Sequence, residues 1–262
     1  MKTILFISGN VGIDILQFML RKGDVPDIMV IDEFDMNERN QHLIDMSGLP
    51  SDRIIQNKDL YSQDTLARLK ELDLDIGFLV WWPHIVRREI TDIVKGVIVN
   101  MHPSYLPYNR GKDPNFWAIV DRTSFGATLH YVNAGIDSGD IIARESIPVT
   151  WEDTGKTLYD KSLRALVGLF KSNYDSIMSG LSLSYPQDPL SGSIHYRRQL
   201  EPASVIEIDK QYSARDLLNI IRAKEFDPHP HAWFEDEGKK YEVSIKITLK
   251  KELENDGKDS SK

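Results

Sequence analysis

The stretch that decides the fold is MKTILFISGNVGIDILQFMLRKGDVPDIMVID, residues 1–32. Its apolar run Thr3–Ile7 predicts a buried strand, and residues 8–10 (Ser-Gly-Asn) predict a turn. Apolar side chains at positions 13, 16, 18 and 20 then indicate a helix, and residues 27–32 indicate a second strand. A strand, a helix and a second strand in this order form the unit from which parallel sheets are built.

The same pattern continues further along the chain. Residues 75–82 (DIGFLVWW) and 96–100 (GVIVN) are apolar without alternation, and leucines at 66, 69 and 72 and residues 89–94 predict helices before and between them. Strands without alternation are typical of sheets that are covered on both faces. The sequence therefore predicts an α/β, Rossmann-like fold, with a mostly parallel sheet and helices on both faces.

A long amphipathic helix is predicted at residues 154–178 and is ended by Gly180, and the composition of the sequence changes after it. Residues 184–193 are rich in Ser, Pro and Gly and are interpreted as a connector. A helix and a β-hairpin are predicted after it, at residues 214–223, 232–235 and 241–247. The predicted units are a catalytic domain (1–183), a C-terminal subdomain with the small helix and the hairpin (184–250), and a disordered tail (251–262).

The composition excludes several kinds of site. The chain of 262 residues contains no cysteine, which excludes disulfides, thiolate nucleophiles and cysteine-based metal centres. Its net charge of -8 argues against a broad nucleic-acid surface. No apolar run approaches the length of a membrane span, and the first residues lead directly into a strand. We therefore expect a cytoplasmic protein without a membrane or nucleic-acid partner.

One constellation has the spacing of a catalytic site. Asn100 and His102 end a buried strand on the same face, and Asp137 lies in the turn 135–139 between two strand-like runs. An amide, an imidazole and a carboxylate at strand ends can hold an oxyanion, accept a proton and orient the base, which favours acyl transfer. The alternative is a capped strand end with a hydrogen-bonded histidine and an ordinary turn aspartate. Unpaired polar groups at such buried positions cost about 1–3 kcal/mol each, which favours a role in a crevice.

The segment of residues 97–142, which contains these three residues, resembles the core of the formyltransferases that use N10-formyltetrahydrofolate. The family pattern Asn-x-His-Pro-Ser-x-Leu-Pro-x-x-x-Gly is similar to residues 100–111, and Pro-x-x-Trp-Ala-Ile to residues 114–119. The patterns Gly-x-(Thr/Ser)-x-His and Asp-x-Gly are similar to residues 126–130 and 137–139. The resemblance covers the predicted catalytic domain, and it implies that Asn100, His102 and Asp137 are the catalytic set.

The resemblance also implies a mechanism and a co-substrate site. An amine nitrogen attacks the formyl carbon, Asn100 and a protonated His102 donate to the formyl oxygen, and His102 relays a proton while Asp137 holds its tautomer or passes protons through water. Neither a metal nor a covalent intermediate is expected; a metal site formed by His229 and His231 with His102 and His130 is disfavoured, because no carboxylates are arranged nearby. Two segments are expected to bind N10-formyltetrahydrofolate through their backbone. The first consists of His84, Ile85 and Val86, and the second of Asn133, Ala134 and Gly135.

The family divides by acceptor, which is glycinamide ribonucleotide, methionyl-tRNA, a nucleotide-linked amino sugar or water. The purine-pathway type is generally shorter, and the branch that uses water usually has an extra N-terminal domain. The tRNA type usually carries a basic C-terminal domain, whereas residues 184–262 hold 15 acidic and 13 basic side chains. Residues 219–223 and 228–232 resemble the Ile-Arg-Ala…Pro-Gly-Ala segment of the sugar type, with His231 where glycine is usual.

The resemblance therefore favours an amino-dideoxy sugar as acceptor, with dTDP-4-amino-4,6-dideoxyglucose first, for O-antigen or related glycan biosynthesis. The 3-amino-3,6-dideoxy isomer and methionyl-tRNA remain as alternatives, as does a folate- or nucleotide-binding module without turnover. Arginine and lysine side chains are candidates for the pyrophosphate and aromatic ones for thymine. The predicted acceptor-binding residues are Asn10, Tyr105, Arg110, Lys112, Tyr196, Arg222 and Trp233, with Arg197, Arg198 and Lys224 as further candidates for the pyrophosphate. The hairpin is expected to form a homodimer.

Overall fold

The structure is a computed structural model that describes residues 1–32, 37–188 and 190–250. Its strands are β1 (Thr3–Ile7), β2 (Ile28–Ile31), β3 (Ile54–Gln56), β4 (Ile76–Val80), β5 (Val97–His102), β6 (Arg110–Gly111), β7 (Gly126–Tyr131), β8 (Ile141–Ser146), β9 (Ile194–His195), β10 (Ala232–Asp236) and β11 (Lys239–Val243). Its α-helices are α1 (Gly9–Arg21), α2 (Asn37–Ser47), α3 (Gln63–Glu71), α4 (Arg88–Ile93), α5 (Pro114–Val120), α6 (Gly155–Met178), α7 (Arg197–Ala203) and α8 (Ala214–Lys224).

Seven strands form the central sheet in the order β3-β2-β1-β4-β5-β7-β8. The first five of these strands are parallel to one another, and β7 runs antiparallel to both β5 and β8. The Rossmann-like, mostly parallel sheet predicted from the sequence is therefore confirmed. The strand order reverses between β1 and β4, so the chain leaves these two strands in opposite directions and opens a crevice at their carboxyl ends.

Helices cover both faces of the sheet, as predicted. Leu5 and Ile7 of β1 point into a core that also contains side chains of α1 and α6, whereas Ile4 and Phe6 point into a second core with α3 and α4. All four side chains are fully buried. Burying a side chain of this size stabilises the fold by about 1.5–3 kcal/mol, which is why these strands carry no alternation of polar residues.

Two predicted helices differ in how closely the sequence placed them. Helix α1 begins directly at Gly9 rather than after a turn, and its buried residues include Val11, Ile15 and Met19 instead of the predicted positions 13, 18 and 20. Helix α6 agrees with its prediction, because every residue assigned to its apolar face is buried. These residues are Leu158, Ser162, Leu166, Leu169, Phe170, Tyr174 and Ile177.

The C-terminal residues form more structure than the sequence indicated. The predicted connector, residues 184–193, is followed by β9, which pairs in parallel with β6, and then by α7, and neither element was predicted. The predicted hairpin is present as β10 and β11, although β11 ends at Val243 rather than at residue 247. Helix α2 and strand β3 were also missed, and the predicted tail, 251–262, lies outside the described residues. Within the described ranges, no helix combines the length and apolarity that crossing a bilayer requires.

Candidate active site

The carboxylate of Asp137 lies at the centre of a polar network at the carboxyl end of β5. Its Oδ1 accepts a hydrogen bond from Asn100 Nδ2 at 3.2 Å, and its Oδ2 accepts one from the backbone N–H of Gly111 at 2.9 Å. Its Oδ2 lies 3.6 Å from Nδ1 of His102, and its Oδ1 lies 3.6 Å from Nε2 of His130. The structure therefore brings the three predicted catalytic residues together and adds a second histidine.

The backbone explains how these side chains meet. Asn100 and His102 are on β5, and the antiparallel pairing with β7 places His130 directly opposite Asn100. Asp137 lies in the turn between β7 and β8 and has a left-handed backbone conformation, with φ of 46°. A non-glycine residue in this region is uncommon and is found often at functional sites.

The hydrogen-bond partners define the tautomers of both histidines. Nε2 of His102 lies 3.2 Å from the carbonyl oxygen of Asn109, which can only accept, so Nε2 carries the hydrogen in the neutral ring. Nδ1 of His102 then presents its lone pair to Asp137. Nδ1 of His130 lies 2.8 Å from the carbonyl oxygen of Tyr131 and carries the hydrogen, so its Nε2 accepts from Asn100 Nδ2 at 3.0 Å.

The electrostatics favour an ionised aspartate beside a neutral histidine. Burial alone would raise the pKa of Asp137, but the positive charge that His102 carries when it is protonated, the neighbouring His130 and the Gly111 N–H outweigh it, so this pKa lies well below its ordinary value. Burial lowers the pKa of His102 below its ordinary value of 6.5, although Asp137 acts in the opposite direction. His102 is therefore a neutral imidazole near pH 7.

Two details of the predicted mechanism differ from this geometry. His102 was expected to be protonated, but its side chain is only 6% exposed, and burial disfavours the imidazolium. Asn100 was expected to donate to a substrate oxygen, but its amide nitrogen already bonds to His130 and Asp137. Asn100 is partly buried and the Asp137 side chain is 17% exposed, so these two groups form the part of the network that reaches the crevice.

The two segments predicted to bind the folate lie on either side of residues 110–112. Nζ of Lys112 donates to the carbonyl of Pro83 at 3.1 Å, while the adjacent Gly111 N–H bonds to Asp137. Ile85 is 81% exposed and Ile136 is 40% exposed, so each segment presents an apolar side chain to solvent. These apolar surfaces beside exposed backbone fit a flat ring that is bound mainly through main-chain groups.

Other residues of these two segments have structural partners. Nε2 of His84 lies 3.1 Å from the buried carboxylate of Asp32, and Val86 packs against the core that contains α3 and α4. Oδ1 of Asn133 accepts from the backbone N–H of Gly135 at 3.0 Å, which defines the turn before Asp137. Ala134 is exposed in the same turn.

Basic side chains gather around Asp113, beside the network. Burial raises the pKa of Asp113, while the positive charges of Arg197, Lys112, Lys224 and His229 act in the opposite direction. Burial also lowers the pKa of Lys112, and the charge of Arg197 adds to this effect. Lys224 is 7% exposed and donates to the carbonyl of Pro230 at 2.7 Å. A chain with a net charge of -8 thus concentrates cations at this point.

Aromatic side chains form a wall next to the crevice at the end of β4. Trp81 packs edge to face with Tyr159 at 5.4 Å, and Tyr159 packs in the same way with Phe226 at 5.0 Å. Trp81 has a positive φ of 55°, which is a strained conformation for so large a residue. A Cβ on Gly9 would lie 3.1 Å from Trp81 Cδ1, so glycine lets the indole approach the start of α1.

Of the predicted acceptor-binding residues, Arg110, Lys112 and Tyr196 lie near the network, and Asn10 lies at the start of α1. Asn10 is exposed in the first turn of α1, and Arg110 and Lys112 flank Gly111. Tyr196 directly follows β9, which pairs with residues 110–111. Arg110 Nη2 also donates to the carbonyl of Ser191 at 3.3 Å.

The remaining predicted acceptor-binding residues have other partners. Arg222 is buried and donates to the carbonyls of Thr150 and Asp153 at 2.7 and 2.8 Å, so this guanidinium has a structural role that differs from the predicted one. Trp233 Nε1 donates to Glu201 at 2.8 Å. The guanidinium of Arg144 lies 4.2 Å from the ring centre of Tyr105. Arg198 lies over the ring of Tyr196 at 5.6 Å.

Sequence reasoning missed four contributors to the network. His130 was part of a quoted motif but was not assigned to the site, and the carbonyl of Asn109 and the N–H of Gly111 leave no trace in the sequence. Gln187 Nε2 donates to the carbonyls of Asp137 and Gly139, both at 2.8 Å, from a segment that was interpreted as a connector. In the described part of the chain, no group of three or more His, Cys, Asp or Glu side chains is arranged to hold a metal ion.

Comparisons with known proteins agree with this geometry. Residues 20–168 match the sequence model of the formyl transferase family, and residues 199–249 match that of the N-formyltransferase dimerization C-terminal domain. The dTDP-4-amino-4,6-dideoxyglucose formyltransferase of Mycobacterium bovis is 29% identical over 196 residues, which cover 72% of this chain and 80% of that protein. The methionyl-tRNA formyltransferase of Thermodesulfovibrio yellowstonii is 28% identical over 191 residues, and the match spans 72% of this chain and only 60% of that protein.

Two solved structures have the same fold. A 4-N formyltransferase from Francisella tularensis aligns with a TM-score of 0.79 and 23% identity, over 95% of this chain and 98% of that one. An N-formyltransferase from Helicobacter canadensis, in complex with folinic acid and dTDP-3-aminofucose, aligns with a TM-score of 0.68 and 21% identity, over 91% and 85%. Because the family model matches more than half of the sequence and covers Asn100, His102 and Asp137, the chain belongs to the formyl transferase family.

Proposed function

We propose that this protein transfers a formyl group from N10-formyltetrahydrofolate to the amino group of a nucleotide-linked amino-dideoxy sugar, with dTDP-4-amino-4,6-dideoxyglucose as the acceptor. The observation that carries the proposal is the position of the Asp137 carboxylate, 3.6 Å from Nδ1 of His102. In the reaction a bond forms between the amine nitrogen and the formyl carbon, and the bond from that carbon to the folate nitrogen breaks.

His102 is suited to carry the proton between the two nitrogens. The attacking amine must lose a proton, and Nδ1 of His102 can take it because Nε2 already carries a hydrogen. The imidazolium that forms is stabilised by the negative charge of Asp137, which is kept ionised by its own hydrogen bonds. The same proton then goes to the departing folate nitrogen, so His102 returns to the neutral form.

Asn100 is the group suited to stabilise charge on the formyl oxygen. Its Nδ2 bonds to Asp137 and His130 before substrates bind, so donation to the formyl oxygen requires the exchange of one of these hydrogen bonds. The hydrogen bond to Asp137, at 3.2 Å, is the longer of the two and lies on the side of the crevice. A well-placed donor of this kind contributes about 3–4 kcal/mol to the stability of the transition state.

The formyl donor supplies the carbon that is transferred. Its ring would lie against Ile85 and Ile136 and would be held by the backbone of residues 84–86 and 133–135, on the two sides of Gly111. Folinic acid in the complex of the Helicobacter canadensis enzyme supports a folate donor for this chain. The match of residues 20–168 to the family adds to this support.

The surroundings of the network support a nucleotide sugar as the acceptor. Lys112, Arg197 and Lys224 form a compact group of cations, which suits the two phosphates of a nucleoside diphosphate. The wall of Trp81, Tyr159 and Phe226 offers apolar surface to a deoxygenated sugar. A methionyl-tRNA needs a far more extended basic surface, whereas residues 184–262 carry 15 acidic and 13 basic side chains.

One assay tests the proposal. The protein is incubated with N10-formyltetrahydrofolate and, separately, with dTDP-4-amino-4,6-dideoxyglucose, its 3-amino-3,6-dideoxy isomer, a UDP-linked amino sugar and methionyl-tRNA, and product masses are measured. We expect formylation of the dTDP-linked 4-amino sugar. Formylation of methionyl-tRNA alone contradicts the choice of acceptor, and binding of folate and nucleotide without any product indicates a binding module instead.

We also propose that the protein acts as a homodimer in the cytoplasm. The match of residues 199–249 to a dimerization domain supports an assembly through the C-terminal segment, to which β10 and β11 belong. Light scattering during size-exclusion chromatography tests this. A mass of one chain across the working concentration range contradicts it.

A further inference from the structure

We propose that Gln187 is a positioning residue for the reaction, which holds the Asp137 turn in the place where its carboxylate meets His102. This inference rests on the proposed function for its kinetic consequences, but its structural basis is independent of the acceptor. Gln187 lies in the segment between α6 and β9, so it links the C-terminal part of the chain to the catalytic network.

The contacts of Gln187 are specific to the turn. Its Nε2 donates to the backbone carbonyls of Asp137 and Gly139, both at 2.8 Å. Carbonyl oxygens only accept, so the amide nitrogen must face the turn, and both of its hydrogens are used there. The single side chain thus clamps the turn at the catalytic residue itself and two residues beyond it.

Gln187 also carries a cost that supports this role. Its Oε1 is buried and has no hydrogen-bond partner among the described residues. A buried acceptor without a partner costs about 1–3 kcal/mol. A glutamine that served only the solubility of a connector would turn this oxygen to solvent, so the geometry favours a role in which the two donated hydrogen bonds matter.

The turn needs such a clamp because its conformation is unusual. Asp137 has a φ of 46°, which costs free energy for a residue with a side chain. A Cβ on Gly139 would lie 1.8 Å from the carbonyl oxygen of Tyr131, so the turn is also pressed tightly against β7. Hydrogen bonds from outside the turn can hold it in this state, and Gln187 provides two of them.

The rest of the same segment fixes the opposite side of the carboxylate. Strand β9 pairs with β6, and the backbone N–H groups of Arg110 and Lys112 donate to the carbonyls of Ser193 and His195, both at 3.0 Å. Between these two residues lies Gly111, whose N–H donates to Asp137. The segment therefore holds the two loops that meet at the Asp137 carboxylate, one through Gln187 and the other through β9.

Loosening the turn has a defined consequence for His102. The charged or titratable groups that act on His102 are Asp137, His130 and Lys112, and of these only Asp137 favours its protonation. A turn that moves away takes this negative charge with it, so protonation of His102 becomes more difficult. The loosened turn therefore acts on the proton relay through His102, and it also acts on residues 133–135, the proposed folate segment that leads into the same turn.

The experiment compares Gln187→Leu and Gln187→Glu with the matched control Ser184→Ala, an exposed position on the same segment. Leucine keeps the size but removes both donors, and glutamate places negative charge against the two carbonyls. We expect kcat to fall at least ~10-fold in both Gln187 variants while KM for the nucleotide sugar stays within about threefold. Ser184→Ala should match the wild type.

A second measurement needs no substrate and therefore separates this inference from the proposed function. The imidazole of His102 is titrated by 15N NMR, with its signal assigned by comparison with His102→Asn. We expect its pKa to be lower in Gln187→Leu than in the wild type and in Ser184→Ala. If the wild type formylates none of the acceptors, the proposed function fails, while this titration still tests the clamp.

Two results overturn the inference. One is a His102 titration in Gln187→Leu that coincides with that of the wild type, because the turn is then held without this side chain. The other is a fall in kcat/KM that is due entirely to a higher KM for folate or nucleotide sugar, with kcat unchanged, since this indicates a binding role.

Discussion

The two parts of this chain, residues 1–183 and residues 184–250, are held together by different forces. In the first part, the interior strands of the sheet consist almost entirely of buried apolar residues, as in β1 and β4. Among the described residues of the second part, the buried hydrophobic side chains are only Ile221, Ala223 and Ala232. The second part therefore depends for its place on polar contacts with the first part and on a small apolar cluster in which Ala223 packs with Phe116 and Leu158.

This difference explains where the candidate site is found. A sheet interior made of apolar side chains can deliver residues such as Asn100 to its edge, but it cannot hold a strained turn or a cluster of cations there. The groups that hold the turn and supply the positive charge lie where the two parts meet. There Gln187 bonds to the Asp137 turn, and Arg197 and Lys224 approach Asp113. The first part supplies the reactive groups, and the second part supplies much of what positions them.

The largest effect is expected from Asp137→Asn, which tests whether the chemistry depends on the first part alone. Asparagine keeps the size of the side chain but removes the charge that stabilises a protonated His102. We expect kcat to fall by about 10²–10⁴-fold, the range for loss of acid–base assistance, in a steady-state formylation assay. The control is Asp140→Asn at an exposed position close by. An Asp137→Asn variant with nearly full activity contradicts the proton relay.

Arg222→Met tests the polar attachment of the second part. The Arg222 guanidinium donates to the carbonyls of Thr150 and Asp153, and its loss removes this donor from the buried carbonyl of Asp153. We expect the free energy of unfolding to fall by about 2–4 kcal/mol in urea titrations, with nucleotide affinity little changed. Arg215→Met, on the exposed side of the same helix, is the control and should cost less than about 1 kcal/mol.

The opposite pattern, unchanged stability with weakened nucleotide binding, brings back the prediction from the sequence that Arg222 binds the acceptor. In that case the contacts with Thr150 and Asp153 give way when the substrate binds. The control distinguishes this outcome from a general effect of lost positive charge, because Arg215 lies on α8 as well.

The pH dependence of stability tests the network itself. Burial lowers the pKa of His102 in the folded state below 6.5, so the unfolded chain binds a proton that the folded chain resists. Stability is therefore lost as the pH falls from 6.5 toward the folded pKa, by up to ~1.4 kcal/mol per pH unit in this window. The depressed pKa of Asp137 acts later, since its contribution is present above about 3.8 and is lost below that value.

Urea titrations of the wild type, His102→Asn and His42→Gln between pH 7.5 and 5 measure this effect. His42 is exposed on α2, so its replacement should leave the pH dependence unchanged. We expect His102→Asn to flatten the loss of stability in this range. Equal slopes for all three proteins mean that His102 is protonated freely in the folded state.

How much of this molecule could be predicted from its sequence follows the same division. Apolar runs placed β1, β4 and β5 and hence the parallel sheet, because burial on both faces acts on each strand locally. The polar residues Asn100 and His102 at the end of an apolar strand indicated the site. The helix face of α1 was placed less well, because the helix begins at Gly9 without the turn expected there.

The parts that could not be predicted depend on pairing between distant segments. Asn100 meets His130 only because of the register between β5 and β7, and Gln187 meets Asp137 only because the segment before β9 folds back over the site. A stretch rich in Ser and Pro has the composition of a connector whether or not it makes such contacts. The resemblance to a family pointed to the candidate catalytic residues but left the groups that support them unidentified.

The smallest effects come from helix caps, and they sharpen the comparison most directly. Thr154 caps α6 in the first part, where its Oγ1 accepts from the N–H of Thr157, and Ser213 caps α8 in the second part, where its Oγ accepts from the N–H of Asp216. Replacing either cap by alanine should cost about 1 kcal/mol. Ser213→Asp keeps a capping oxygen and serves as the control.

Hydrogen exchange shows whether the two parts open together. If polar contacts such as those of Arg222 join them into one cooperative unit, Thr154→Ala and Ser213→Ala should each raise exchange to a similar extent in both α6 and α8. Faster exchange that is confined to α8 in Ser213→Ala means that the second part opens alone. Because Gln187 and β9 would open with it, the Asp137 turn would then lose its clamp before the sheet unfolds, and activity should fall at denaturant concentrations that leave α6 protected.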